Sequence, residues 1–313
     1  MTLFGRPLYG CMGLGGEWAA EKYGAREVAQ AEAAIETALD VGITEFDHAD
    51  IYRGGKSEAV FGEVLAGAPG LREQIRIQTK CGIRLPGGLS KGLYDLRGQH
   101  IVQSVEGSLE RLRTNVIDTL LLHRPDPLAD PDDISEAFTS LHKQGLVRAF
   151  GVSNMDAPQI AYLQSCLDVP LVVNQLEMSL FRRDWIELGV LVNTADATQI
   201  GFPHGTIEYC RMHDVRLQAW ASLAQGRYSG RQQTNTEIAT AELVRTLAHT
   251  KHTTPETILL WWLQRHPARI APVIGTAQPD RIRACRDAVV SEPQLTHEEW
   301  YDLWITARGA PLP

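Results

Sequence analysis

The sequence predicts an α/β protein: a parallel eight-stranded (β/α)8 TIM barrel made by a single domain over residues 1–313. Three observations carry this prediction. Eight short apolar runs alternate with helix-like stripes along the chain. Each run ends on polar or ionisable residues and leads into a crossover, which argues for parallel, right-handed connections. Finally, 313 residues with 44% hydrophobic content are enough to bury one large core. A barrel brings every strand's carboxyl end to one face, where sites of this fold are built.

In chain order, the first strand candidate is Pro7 to Met12, running into Gly13-Leu14-Gly15-Gly16. The third glycine of a GxGxxG fingerprint would fall on Trp18, so this is a glycine turn at a strand mouth. Glu27 to Asp40 carries a helical stripe closed before Gly42. The second run, Val41 to Phe46, ends on Asp47, with Tyr52 five residues later in a loop, and Ser57 is placed to cap a helix over Glu58 to Leu65. The third, Ile75 to Thr79, ends on Lys80, and Cys81 to Gln99 reads as a long exposed loop. His100 to Arg113 is helical, and the fourth run, Thr119 to Leu122, ends on His123.

Asp132 to Gln144 forms a helix closed by Gly145, and Leu146 to Val152 delivers Ser153 and Asn154. A helix over Ala157 to Cys166 precedes Leu171 to Val173, which delivers Asn174 and Gln175; Leu180 to Pro203 has a mixed pattern. Val215 to Ala219 ends on Trp220, before a loop of small and polar residues from Ala221 to Asn235. Helices over Glu242 to His249 and Pro255 to Arg265 follow, the second with Thr253-Thr254 as cap and Pro255 near its first position. Ile270 to Ile274 delivers Gly275 and Thr276, and helices over Asp280 to Ala288 and His297 to Ala307 close the chain. Trp261, Trp262, Trp300 and Trp304 read as helix packing, and Asp95-Leu96-Arg97 as a solvated loop pair.

A net charge of −8 sets the protein against broad contact with nucleic acid or an anionic membrane. No apolar stretch approaches the length of a membrane span and the amino terminus lacks an apolar export core, so the expected location is the cytoplasm. Five scattered cysteines without CxxC spacing read as reduced thiols.

The residues gathered at the predicted mouth imply a chemistry. A phenol is a poor acid at neutral pH until a nearby cation favours its phenolate, and Lys80 is that cation for Tyr52. Asp47 keeps Lys80 charged and aimed. His123 can polarise a carbonyl or relay a proton. With a hydride donor alongside, this is carbonyl reduction.

These residues resemble the aldo-keto reductases. Asp47 and Tyr52 stand in the family's D-x-A-x-x-Y spacing, Lys80 follows a threonine at the end of the third strand, and His123 lies in the L-L-H-x-P context. Nearly the whole chain follows the family order, and the phrases around Asp47 and His123 look most like a bacterial NADPH-dependent subgroup whose members are monomers or weak homo-oligomers. The resemblance implies catalytic roles for Tyr52, Lys80, Asp47 and His123. It implies that Ser153, Asn154 and Gln175 hold the nicotinamide carboxamide and that Trp220 stacks on its ring. Gly15, Gly16, Ala221, Ser222, Leu223, Gln225, Gly226, Arg227 and Gly275 would approach the rest of the cofactor, with the loop Leu223-Ala224-Gln225-Gly226-Arg227 along the pyrophosphate, and Thr276 and Arg281 would meet the adenosine 2′-phosphate. Residues 265 to 286 hold five arginines against one acid, which favours NADPH over NADH. Gly275 falls where many members carry a lysine, and Ala284 and Cys285 where a Glu-Asn pair often holds the adenine. Trp18 and Tyr94 are the implied contacts for a partly apolar small-molecule carbonyl substrate.

Two rivals stand beside this reading. A metal-dependent hydrolase would use His48, Asp50 and His123 as ligands, though no HxH or HExxH spacing supports it and Lys80 would repel a cation. A redox-sensing or regulatory barrel would bind NADPH with little turnover. The carbonyl reductase reading calls for no metal.

Overall fold

The computed structural model describes residues 5–87, 91–230 and 233–312. Its core is a closed, all-parallel barrel of eight strands: β1 (Leu8–Gly10), β2 (Glu45–Asp47), β3 (Arg76–Cys81), β4 (Ile117–Leu122), β5 (Val147–Ser153), β6 (Leu171–Glu177), β7 (Arg216–Trp220) and β8 (Ala271–Ile274). Each strand pairs with its sequence neighbours, and β1 closes the ring against β8 through Leu8↔Val273 and Tyr9↔Ile274. The predicted fold class stands.

Local chemistry explains why the elements start and stop where they do. The helix Pro255–Gln264 begins as expected, with Thr254 accepting a bond from the Thr257 N–H and Pro255 in the first turn, where its missing N–H costs nothing. Gly145 follows the helix Pro131–Lys143 at φ 72°, a left-handed position that glycine takes without strain. Trp262 and Trp300 stack at 5.2 Å and 8°, each indole N–H donating to the other's backbone carbonyl, so these tryptophans do pack helix on helix.

Several boundaries differ from expectation. Strand β2 begins only at Glu45, because the Ile43 N–H returns to the Ala38 carbonyl and Gly42 turns at φ 93°. Cys11–Gly13 is a helical turn rather than strand. Helix Lys56–Gly67 starts on Gly55, and Ser57 is not its cap: its hydroxyl donates to the Cys11 carbonyl. The loop after β3 contains a short antiparallel hairpin of Ile83–Arg84 with Leu93–Tyr94. Asp95 is not solvated but buried, gripped by Arg97 at 2.6 and 2.8 Å, and these bonds, set against the cost of burial, hold its carboxyl at about 2. The helix expected over Asp280 to Ala288 breaks into Pro279–Arg283 and Arg286–Val290. The helix Asn235–Thr250 starts seven positions before the expected Glu242, capped by Thr234. Helices Asp184–Val190 and Thr206–Met212 fall in and just after the stretch with no clear pattern.

Candidate active site

Strand alternation places the functional side chains. On β2, Glu45 and Asp47 are two residues apart and share the barrel interior; on β3, Gln78 and Lys80 do the same, and on β7, Arg216, Gln218 and Trp220. The lower layer is an ion pair across the barrel, Arg216 to Glu45 at 2.6 Å. Above it lies a layer of one carboxylate and three amides. Gln78 Nε2 donates to Asp47 Oδ1 at 2.6 Å, and Gln175 Nε2 donates to the same oxygen at 3.1 Å. Both amides also donate to Gln218 Oε1, at 2.8 and 2.9 Å.

At the mouth, Lys80 Nζ meets Asp47 Oδ2 at 2.7 Å, Asp47 Oδ1 at 2.8 Å and the His48 carbonyl at 2.8 Å, and it donates to the Tyr52 hydroxyl at 3.1 Å. Asp47 and Lys80 are buried, whereas Tyr52 and His123 are partly exposed. Burial alone would lower the Lys80 pKa, but Asp47 and then Tyr52 raise it above its ordinary value, so the ammonium persists. The Tyr52 phenol shows the reverse balance. Burial raises its pKa, Lys80 lowers it, Asp47 raises it again, and the outcome lies above the ordinary value. Lys80 therefore does not make Tyr52 a resting phenolate; it faces a protonated phenol.

His123 approaches Tyr52 edge-on, ring centroids 5.9 Å apart, and its backbone carbonyl accepts from Asn154 Nδ2 at 3.2 Å. Burial, then the Lys80 and Arg124 cations, push the imidazole down to about 2. It is neutral at any physiological pH, and its buried Nδ1 has no partner among the described residues. A neutral ring can hydrogen-bond a carbonyl through its single N–H but lacks the acidic second proton of an imidazolium.

The other predicted residues divide. Asn154, at φ 58°, donates to Ser153 Oγ at 2.8 Å and accepts from Trp220 Nε1 at 3.1 Å, so Asn154 and Trp220 share the mouth. Ser153 is buried, and its hydroxyl donates to the Gln175 carbonyl. The segment after β7 has left-handed Ala221, Ala224, Gln225 and Gly226, with the Ser222 hydroxyl tied to the Val273 carbonyl and Leu223 partly buried. Arg227 bonds Glu237 at 2.9 Å and lies over the Phe181 ring, so its guanidinium is already engaged. Gly275 and Arg281 are exposed, and the Thr276 carbonyl accepts from the Tyr9 hydroxyl.

Gly15 turns at φ 86° where a Cβ would lie 2.7 Å from the Lys56 carbonyl carbon, and at Gly16 it would lie 3.1 Å from Glu27 Cγ. Close chain packing thus accounts for glycine at both positions. Trp18 and Tyr94, both nearly half exposed, lie on segments that follow β1 and β3 and therefore on the face of the mouth; Arg53 covers the Trp18 ring at 5.4 Å. His48 does not join a ligand set: it is sealed edge-on against Phe61. Among the described residues, no three His, Cys, Asp or Glu side chains are arranged to hold a metal ion.

Comparison with known proteins decides the family. The model of the Aldo/keto reductase family matches residues 8–304. The chain belongs to this family. An uncharacterised oxidoreductase of Bacillus subtilis is 38% identical, covering 89% of this chain and 88% of its own length. A 6-dehydroglucose reductase of Agrobacterium fabrum is 37% identical, covering 90% and 89%. Among solved structures, a glycerol dehydrogenase from Gluconobacter oxydans superposes with TM-score 0.81 at 24% identity, over 100% of this chain and 95% of that one. An aldo/keto reductase from Klebsiella pneumoniae in complex with NADP and acetate superposes with TM-score 0.72 at 22% identity, over 99% and 95%. This aldo/keto reductase is thus an oxidoreductase. Gln78 and Gln218 are site residues that strand pattern alone passed over, although an amide at an inward strand position was a readable signal.

Proposed function

We propose that this aldo/keto reductase reduces an aldehyde or ketone with NADPH, with Tyr52 as the acid. The observation that carries the reading is Lys80 Nζ, fixed between the Asp47 carboxylate and the Tyr52 hydroxyl. The reduced nicotinamide, when bound, supplies the hydride. Tyr52 gives its proton to the carbonyl oxygen, and Lys80 stabilises the phenolate that remains. Asp47 keeps Lys80 charged in a buried place. His123 donates a hydrogen bond to the substrate oxygen from a neutral ring.

The residues present fit the cofactor. Asn154 and Gln175 would hold the carboxamide, since both Gln175 bonds use Nε2 and leave Oε1 outside the amide layer. Ser153 orients Asn154 from behind. Trp220 offers an aromatic surface and the segment Ala221 to Arg227 its backbone. Exposed Arg281, with Thr276 near it, suits the 2′-phosphate dianion. Arg283 is paired with Asp280 at 2.9 Å and Arg265 donates to the Leu295 carbonyl, so the arginine-rich stretch contributes through Arg281 rather than as a block.

Trp18 and Tyr94, with exposed Leu85 and Leu93, favour a carbonyl compound with an apolar part. Sugar-derived aldehydes, including 6-dehydroglucose, belong in the first panel because of the Agrobacterium relative. The test is that panel, with aldehydes and ketones, followed by NADPH absorbance. Arg281→Ala should weaken NADPH by about tenfold and NADH much less; equal losses would remove Arg281 from the 2′-phosphate.

A second reading comes from a putative voltage-gated potassium channel subunit beta of Schizosaccharomyces pombe, 26% identical over 282 residues. On that reading the barrel binds NADPH and regulates. Tight NADPH binding with slow turnover on every carbonyl would favour it.

A further inference from the structure

We propose that Gln78 and Gln218 are positioning residues: they hold Asp47 Oδ1 against Lys80 and tie it to Gln175, joining the carboxamide pocket to the Lys80–Tyr52 contact through one hydrogen-bonded ring. This rests on the reductase reading for its purpose, but its geometry stands on its own. Both amides are fully buried. Asp47 Oδ1 receives Gln78 Nε2 at 2.6 Å, Lys80 Nζ at 2.8 Å and Gln175 Nε2 at 3.1 Å.

One charge orients the whole layer. An ionised carboxylate only accepts, so Gln78 and Gln175 must both turn Nε2 toward Asp47. Each Nε2 has a second hydrogen, and both go to Gln218 Oε1. Gln218 must then face its own Nε2 back, and it donates to Gln78 Oε1 at 3.0 Å. Gln78↔Asp47 are register partners on β2 and β3, and Gln175↔Gln218 on β6 and β7, so the ring spans the barrel. Apolar side chains would fill this space without desolvating three amides. The polar choice has a consequence for Tyr52.

Neutral donors spread part of the Asp47 charge, which leaves Lys80 free to face the phenol as well. Without Gln78, the carboxylate draws Lys80 more strongly and the negative potential at Tyr52 rises. The groups that face Tyr52 are Lys80, Asp47, the neutral His123 ring and Cys11. Loss of the ring therefore makes the phenolate harder to form.

The test uses the full chain with Gln78→Met and Gln218→Met, each checked by thermal melting. In cofactor-free protein with carbon-labelled tyrosine, the Tyr52 Cζ signal is assigned by its absence from Tyr52→Phe. It should move in both variants, and the Gln78→Met and Gln218→Met shifts should be non-additive in the double variant, since the two side chains bond each other directly. In turnover, kcat should fall about tenfold, with substrate KM and NADPH affinity nearly unchanged. The pH limb of alcohol oxidation should move upward by about one unit. If the methionine variants do not fold, Gln218→Glu replaces them. It keeps the oxygen that accepts from Gln78 and Gln175, replaces the Nε2 donor to Gln78 Oε1 with a second oxygen, adds negative charge to the layer of Asp47, and should move the same signal and limb the same way. A folded variant with wild-type Tyr52 signal, kcat and pH limb overturns the proposal. Wild-type protein that reduces no carbonyl, yet shows the Cζ shifts, removes the reductase reading and leaves the positioning ring standing.

Discussion

Strand β2 supplies two buried acids, two residues apart, and each finds a cation in the barrel interior: Glu45 with Arg216 across the barrel below, Asp47 with Lys80 on the adjacent strand above. The chemistry of the two pairs is alike but their surroundings differ. Arg216 spends a further N–H on the Arg6 carbonyl and, among the described residues, pairs with Glu45 alone. Lys80 instead has a phenol 3.1 Å away that reaches the mouth. A buried ion pair closed on itself can only hold a barrel together; one left open on a third group can move a proton. Desolvation makes either pair costly to form and more costly to break on one side.

Either pair can be opened by a single substitution. Tyr52→Phe removes the third group and nothing else, so reduction should drop by about a thousandfold, while a fluorescence titration finds NADPH binding unchanged. Activity near wild type would mean that the upper pair is as closed as the lower. Glu45→Gln attacks the lower pair. It leaves Arg216 buried without a countercharge and should cost about 3–5 kcal/mol in denaturant unfolding, with turnover per folded molecule retained. A fall in kcat at unchanged stability would show that the layers are coupled.

The smallest effect sharpens the electrostatics of the mouth. Burial holds His48 at about 3 and His123 at about 2, against 6.5 for the free side chain. Below about 6.5 the unfolded chain takes up protons that the folded chain refuses, so stability falls as pH drops from that value toward the folded ones. His48→Leu should flatten this acid slope by up to about 1.4 kcal/mol per pH unit, read from melts in a buffer series. Because His123 stays neutral, kcat for reduction should show no acid limb of imidazole origin.

The strand ends were legible because their chemistry is abrupt: Asp47, Lys80 and His123 each close an apolar run. The barrel followed from the count of such runs. The amide layer was not legible. Gln78 and Gln218 sit inside their runs, and only the register across four strands shows that they meet. The engagement of Arg227 was hidden too, because its partner Glu237 lies in the polar first turns of a helix expected to start later. The hairpin at Ile83–Arg84 is two residues per strand, too short for any period to register.

The stacked indoles of Trp262 and Trp300 have a use outside chemistry. They clasp the last helix, His297–Arg308, to Pro255–Gln264 through two reciprocal bonds. Rings held at 8° form a strongly coupled pair of chromophores, so near-ultraviolet circular dichroism should report whether this helix is docked. The protein thus carries its own optical gauge of carboxyl-terminal docking.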